Sequence, residues 1–407
     1  MIKSTIIRNN YLNQLIQWKD HQVVKVVTGI RRSGKSTLLC TLYKDYLLSQ
    51  GISNRQIIVI NLESIDNEHL YHYKGLYNHI TKLLVPNQKN YVIIDEVQNA
   101  VEFQKAVDSL YIKDNVDLYI TGSNAYILSG ELATLLSGRY VTIEVLPLSF
   151  KEIVDSRSSE NQLDVLYRDY LRWGGFPYVI QLLNDEKLIH QYLEGIYNTI
   201  LKKDIIARNK VSDIFVLEDV IRFVFDNIGN IVSSKKISDT LTSSGRKVSR
   251  PTVDSYLNYL VSGYAVYKVN RYDIKGKEYL KSLEKYYVTD LGLRNYLLGF
   301  RNMDRGHILE NVIYLELKRR GYEIYIGKYD DKEIDFVAKN NDEVYYIQVA
   351  ETIKSNDTLE RESVPLRVIK DYHRRVIMTL DYDVNKSFDG IIVMNALDWL
   401  TLKVDFS

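Results

Sequence analysis

Residues 29–37 read Gly29-Ile30-Arg31-Arg32-Ser33-Gly34-Lys35-Ser36-Thr37, and this stretch governs the reading of the whole chain. It fits the GxxxxGK(S/T) pattern at every fixed position. The apolar run Val23-Val24-Lys25-Val26-Val27 precedes it, and Leu38-Leu39-Cys40-Thr41-Leu42 follows it. A strand, a glycine loop and a helix start are therefore expected. Gly29 and Gly34 let the backbone turn and approach an anion closely. Backbone N–H groups and the positive end of the helix then face a phosphate. The loop is expected to hold ATP through Gly29, Arg31, Arg32, Ser33, Gly34, Lys35, Ser36 and Thr37, with Lys35 on the β- and γ-phosphates and Ser36 on Mg²⁺. Arginines at 31 and 32 are unusual in such a loop. Contact with phosphates and packing against an acidic neighbour are both open readings.

Tyr91-Val92-Ile93-Ile94-Asp95-Glu96 places two acids directly after four apolar residues. A buried strand would deliver Asp95 beside Mg²⁺ and Glu96 beside an attacking water, as metal ligand and general base. Past the next strand-like run, Ser123 and Asn124 are placed to orient water or touch the γ-phosphate; the alternative is a turn or helix cap. Arg139 follows a helix-like stretch at Glu131–Leu136 and precedes another strand. It would either neutralise charge on the transferring phosphoryl group or be a strand-edge charge. The catalytic candidates are thus Lys35, Glu96, Asn124 and Arg139.

Composition bounds the rest. At 407 residues, roughly two to four domains are expected. Five prolines and 20 glycines argue against long disordered segments. A net charge of +1 gives no global field toward nucleic acid or membrane. One cysteine, Cys40, excludes an intrachain disulfide and a cysteine zinc site. No apolar run approaches a membrane span and no signal stretch opens the chain, so a cytoplasmic protein is the expectation.

Residues 1–150 alternate strands (Val23–Thr28, Ile57–Leu62, Tyr91–Ile94, Leu118–Thr121, Tyr140–Leu146) with helical spacings, as an open parallel α/β sheet does. After a polar break at 155–162, helical periodicity runs from Leu163 to about Asn227, interrupted by Trp173-Gly174-Gly175-Phe176-Pro177. From Ser233, a short helix at Lys236–Leu241, a turn, a helix opening at Ser249-Arg250-Pro251 and strands at Tyr264–Asn270 and Tyr279–Val288 make a winged-helix pattern. The last hundred residues alternate again: helix Ile308–Arg320, strands Glu323–Ile326, Glu333–Ala338 and Tyr345–Ala350, helix Val364–Tyr372, and strands Arg375–Leu380 and Gly390–Met394. The division expected is 1–150, 151–228, 229–300 and 301–407.

The motifs Gly29–Thr37, Ile94-Asp95-Glu96-Val97-Gln98 and Ile120-Thr121-Gly122-Ser123-Asn124, with Leu135-Leu136-Ser137-Gly138-Arg139-Tyr140, resemble the AAA-type prokaryotic ATPases whose C-terminal half is a domain of unknown function. Tyr170–Pro177 and Glu333-Ile334-Asp335-Phe336-Val337-Ala338 resemble the same family. The resemblance covers nearly the whole chain. It implies an AAA+-like sheet, a helical lid, a winged helix and a restriction-endonuclease-like end domain. It also implies that Ser123-Asn124 is a sensor-like pair and Arg139 an arginine finger, acting within the chain or across an oligomer.

Residues 235–285 hold eleven Lys or Arg against five Asp or Glu. Lys247, Arg250, Lys275 and Lys277 fall at the second helix and the wing, where this motif meets DNA backbone; a protein-docking role is the competing reading. Glu310, Asp335 and Gln348-Val349-Ala350 resemble the PD-(D/E)xK nuclease core. There, Gln348 stands for the second metal-binding acid and Ala350 for the lysine, so an inactive fold is expected. The resulting expectation is an Mg²⁺-dependent ATPase acting on DNA or a protein partner. A slow nucleotide-gated switch and an ATP-coupled nuclease are the alternatives.

Overall fold

The computed structural model describes residues 5–128, 136–157, 163–183, 185–301, 305–341, 343–382 and 387–406. Most of the helix-like stretch expected at Glu131–Leu136 lies outside these. The chain divides into two compact units, Met1–Pro147 with Ser262–Tyr264, and Leu148–Val261 with Ala265–Ser407.

The first unit is built on five parallel strands: β1 (Val24–Thr28), β2 (Ile57–Asn61), β3 (Asn90–Asp95), β4 (Val116–Thr121) and β5 (Tyr140–Glu144), ordered β2-β3-β4-β1-β5. Every residue of β1, β3 and β4 is buried, as strands covered on both faces by helices must be. Alternation splits their side chains between two cores. Val24, Val26, Val92, Ile94, Leu118 and Ile120 fill one, while Val27, Ile93, Tyr119 and Ile143 join Leu38, Leu39 and Tyr43 in the other. β4 lies between β1 and β3, so the glycine loop after β1 and the acids after β3 are separated by one strand end.

The second unit begins with helices, including Leu163–Trp173, Glu186–Thr199 and Ile214–Asp226. Two further helices, Ser234–Ser243 and Arg250–Ser262, follow. Ser249 caps the latter by accepting the Thr252 N–H at 3.3 Å. The short strand β6 (Ile231–Val232) precedes these two helices, and the hairpin β7 (Val266–Asp273) and β8 (Glu278–Val288) follows them. This hairpin does not stand apart. β7 pairs with β9 (Glu323–Tyr329), and one nine-stranded sheet continues through β10 (Lys332–Asn340), β11 (Glu343–Ala350), β12 (Arg374–Thr379), β13 (Ser387–Phe388) and β14 (Ile391–Asn395). The helix Arg305–Arg319 packs on this sheet, and Gly321 takes up a left-handed φ of 84° just past it. One expected element moves: the helix spans Asn356–Arg367, not Val364–Tyr372. Ser355 caps its start by accepting the Thr358 N–H at 3.1 Å, and the apolar residues used to place it belong to its end. Among the described residues no helix is long and apolar enough to cross a membrane.

Candidate active site

The glycine loop leaves β1 at the C-terminal edge of the parallel sheet, the edge where open α/β sheets bind ligands. Gly29 has φ +132°, and a Cβ there would lie 2.2 Å from the Val145 carbonyl oxygen, so no other residue fits. Gly34, with φ 98°, turns the chain into the helical segment that starts at Lys35. Buried Arg8 braces the loop from the N-terminal segment. Its guanidinium donates to the Ser33 carbonyl at 2.9 Å and to the Leu146 carbonyl at 2.9 Å.

Lys35 is 4% exposed, and its Nζ donates to the carbonyls of Gly29 (2.9 Å) and Ile30 (3.0 Å). Ser33 is buried, and its hydroxyl makes no hydrogen bond among the described residues; Arg32, with φ 69°, and Thr37 are exposed. Arg31 donates to Glu63 Oε1 at 3.1 Å and to Ser123 Oγ at 3.4 Å. The loop arginine thus has the acidic neighbour that was one of its two readings.

Ser36 Oγ donates to Asp95 Oδ1 at 3.0 Å, joining the loop to the end of β3. Thr121, at the end of β4, donates to the same oxygen at 2.6 Å and accepts the Glu96 N–H at 2.9 Å. Glu96 stands in the left-handed region, φ 53°, and its Oε2 accepts from Ser123 Oγ at 3.2 Å and from Gln98 Nε2. Asp95 and Glu96 are 3% and 6% exposed. Both accept only from uncharged donors, and no lysine or arginine among the described residues pairs with either. Two adjacent buried carboxylates without a counter-ion are costly unless a cation joins them. Asp95 and the Ser36 hydroxyl, in contact with each other, offer all-oxygen donors of the kind that suit Mg²⁺. Asn124, which follows Ser123 in the chain, is buried.

Arg139 is not brought to this group. Its carbonyl accepts the Val24 N–H at 2.8 Å, so it sits where β1 begins, while the loop starts where β1 ends. Five residues of strand separate the two by about 16 Å. Arg139 instead pairs with Asp108 at 3.3 Å and is half exposed. Cys40 takes no part, since burial pushes its thiol up to about 12.

In the second unit, the acids expected of a nuclease core also meet, around a lysine that does not come from the expected strand. Lys285 of β8 places its Nζ 2.9 Å from Glu310, 2.9 Å from Glu333 and 3.8 Å from Asp335. Glu310 also accepts from Tyr287 at 2.5 Å and lies 3.2 Å from His307 Nδ1. Gln348 Oε1 accepts the Asp335 N–H at 2.8 Å, and its Nε2 donates to Glu362 at 3.0 Å. Burial works against the charge of Glu310, but Lys285 and the hydrogen bonds outweigh it and lower its pKa. Burial and the charge of Glu310 push Asp335 up to about 8. Lys354 lies near Asp381 at 3.8 Å, and Glu351 pairs with Arg305 at 2.8 Å, so neither enters this cluster.

Of the basic residues expected at DNA, Lys247 and Lys277 are exposed and without an ion pair among the described residues, while Lys275 pairs with Asp330 at 2.9 Å and Arg250 donates to Ser234 at 3.1 Å. Sequence reasoning missed Arg8, Thr121, Gln98 and Lys285. Thr121 and Gln98 stood inside quoted motifs and could have been weighed. Arg8 and Lys285 carry no local signal.

A profile of the AAA domain matches residues 21–154, and one described as a domain of unknown function (DUF8612) matches residues 164–304. An uncharacterized protein of Haemophilus influenzae is 43% identical over 404 residues, which is 98% of this chain and 100% of that one. An uncharacterized protein of Methanocaldococcus jannaschii is 30% identical over 338 residues, 77% of this chain and 71% of that one. A Walker-type ATPase of Pyrococcus abyssi shares the fold, with a TM-score of 0.51 at 15% identity over 73% of this chain and 97% of that one. The chain belongs to the AAA-domain family of P-loop ATPases that carry a C-terminal domain of unknown function.

Proposed function

We propose, from that membership, that the protein binds ATP with Mg²⁺ at the 29–37 loop and hydrolyses it, and that its nucleotide state changes the conformation of the C-terminal half on DNA or a protein partner. The observation that carries this is the pair Asp95–Glu96, buried, without a lysine or arginine partner among the described residues, and joined to the loop through Ser36. Lys35 and the loop N–H groups would hold the phosphates; Ser36 and Asp95 would hold Mg²⁺, which supplies charge neutralisation at the phosphoryl oxygens. Glu96 would take a proton from the attacking water as its oxygen bonds to the γ-phosphorus and the bond to the β–γ bridging oxygen breaks, releasing ADP and phosphate.

The partner is read from charge. The helices Ser234–Ser243 and Arg250–Ser262 and the β7–β8 hairpin follow the order of a winged helix, and Lys247 and Lys277 are exposed cations of it without an ion pair among the described residues. The neighbouring cluster is read as an inactive nuclease core, because the Lys285 ammonium lies against Glu310 and Asp335, where a metal ion would sit.

Steady-state ATPase measurements, alone and with duplex or single-stranded DNA, test the proposal. Turnover should disappear in Lys35→Ala and rise with DNA if DNA is the partner. A Lys35→Ala protein that hydrolyses ATP at the normal rate would sink it. DNA affinity should fall with salt, and Lys247→Ala and Lys277→Ala should each lower the log–log salt slope by about one.

A further inference from the structure

The Glu96 carboxylate is held at one oxygen by the two short motifs around it. Its backbone sits in the left-handed region at φ 53°, a conformation that a non-glycine residue holds only under outside restraint. Thr121 supplies one restraint by accepting the Glu96 N–H at 2.9 Å. Ser123 supplies a second at Oε2, at 3.2 Å. Gln98 Nε2 donates to the same oxygen. The carbonyl oxygen of that amide, Gln98 Oε1, is buried and accepts no hydrogen bond among the described residues, so Glu96 alone fixes which way the amide faces. Gly122 explains how the amide fits: a Cβ there would lie 2.8 Å from Gln98 Oε1 and 2.6 Å from the Ile127 side chain.

We infer that Gln98 is a positioning residue for Glu96, aiming its carboxylate so that Oε1 faces the water to be activated, with Gly122 and Ser123 completing the frame. This rests on the hydrolytic reading above. Both donors crowd onto Oε2, which leaves Oε1 as the oxygen that accepts the water's proton. Arg31 ties the frame to the phosphate loop, because its guanidinium donates to Ser123 while sitting between the two glycines that hold the nucleotide. The residue types at 121, 122, 123 and 98 then have one shared explanation.

The test is a set of full-length variants assayed for kcat and for ATP affinity by nucleotide titration. Gln98→Ala is expected to lower kcat by about 10- to 100-fold, within the range of general-base assistance, with ATP affinity held within about twofold. Ser123→Ala should lower kcat in the same way by less, and Gly122→Ala should match Gln98→Ala by displacing the amide. In a Glu96→Gln background, Gln98→Ala should lower kcat no further, because the carboxylate it aims is gone. A merely structural role would change kcat and affinity together and act equally in both backgrounds. Gln98→Ala and Ser123→Ala proteins that keep kcat within twofold, or lose it equally with and without Glu96, would overturn the inference. Glu96→Gln separates the two readings. If it abolishes turnover while Gln98→Ala does not, only the positioning role falls; if Glu96→Gln turns over normally, the general-base reading falls and this inference with it.

Discussion

Lys35 and Lys285 are both buried lysines, yet they point at different partners. Lys35 donates to the neutral carbonyls of Gly29 and Ile30, and among the described residues Asp95 and Glu96 accept only from hydroxyl, amide and backbone donors. Lys285 donates directly to Glu310 and Glu333, one cation shared between two carboxylates. The first arrangement leaves negative charge that a divalent cation would balance. The second already holds a cation of its own. What distinguishes a site from a structural cluster here is therefore whether the carboxylates already have a counter-ion, not whether they are present.

The largest effects should come from the uncompensated pair. Glu96→Gln keeps the shape and the Gln98 and Ser123 neighbourhood but removes the base. It should lower kcat by about 10²- to 10⁴-fold while ATP still binds, as fluorescence titration with a nucleotide analogue would record. Asp95→Asn should instead weaken Mg²⁺ binding, raising the metal concentration needed for half-maximal rate. Equal turnover in Glu96→Gln and the parent would break the comparison at its active end.

Lys285→Met attacks the other end. It strands Glu310, Glu333 and Asp335 without their cation, and breaking a buried pair this way costs about 3–5 kcal/mol, readable in urea denaturation. Adding Glu310→Gln should recover part of the loss, because one uncompensated charge goes with it. Cleavage of DNA with Mg²⁺ or Mn²⁺, abolished by Asp335→Ala, would overturn the claim that this cluster is closed.

How legible each cluster was in the sequence follows from distance along the chain. The phosphate loop, Asp95-Glu96 and the order of the five parallel strands are local patterns: a glycine at a forced φ, a run of buried apolar residues, an acid at a strand end. The Glu310–Asp335 pair was also visible. Lys285 was not, because it sits in a hairpin whose own alternation says only that it faces one side, and the pairing of β7 with β9 brings it to those acids. The helix at Asn356–Arg367 was misplaced because its capping serine is a weaker signal than the apolar residues at its far end. Arg139 looked correctly spaced after a helix-like stretch, but strand direction, which spacing does not encode, sets it at the opposite edge of the sheet.

A third carboxylate sharpens the comparison at smaller scale. Asp290 caps the helix Leu291–Leu298 and accepts the N–H groups of Gly175 at 2.7 Å and Leu293 at 3.2 Å, fastening the Trp173–Pro177 turn that the sequence had marked only as a break. Like Asp95 it has no cation among the described residues, but its donors are backbone groups that no ligand replaces. Burial pushes its carboxyl from an ordinary 3.8 up to about 6. The folded protein then holds that proton more tightly than the unfolded chain, so this group's contribution is greatest below about pH 4 and is lost as pH rises to about 6, a change of about 3 kcal/mol. The stability difference between the parent and Asp290→Asn, measured by denaturant at each pH, should shrink by about that amount across this interval and stay level above it. A difference independent of pH would mean that Asp290 is solvated in the folded protein.

The smallest expected effect is at Arg139. Its pairing with Asp108 is half exposed, and such pairs contribute about 0–1 kcal/mol to stability. Its place at the start of β5 puts it about 16 Å from its own loop, too far for a side chain to reach a phosphate there. Arg139→Ala in a dilute protein should therefore leave kcat within about twofold, because an arginine finger that acted there would cost on the order of 10³-fold. Repeating the assay across protein concentration isolates the remaining route. If the parent's specific activity climbs with concentration and the variant's stays flat, Arg139 serves a neighbouring copy, and the active site contrasted with the Lys285 cluster is then completed by a second chain. If both stay flat, Arg139 is an edge charge and the site is complete within one chain.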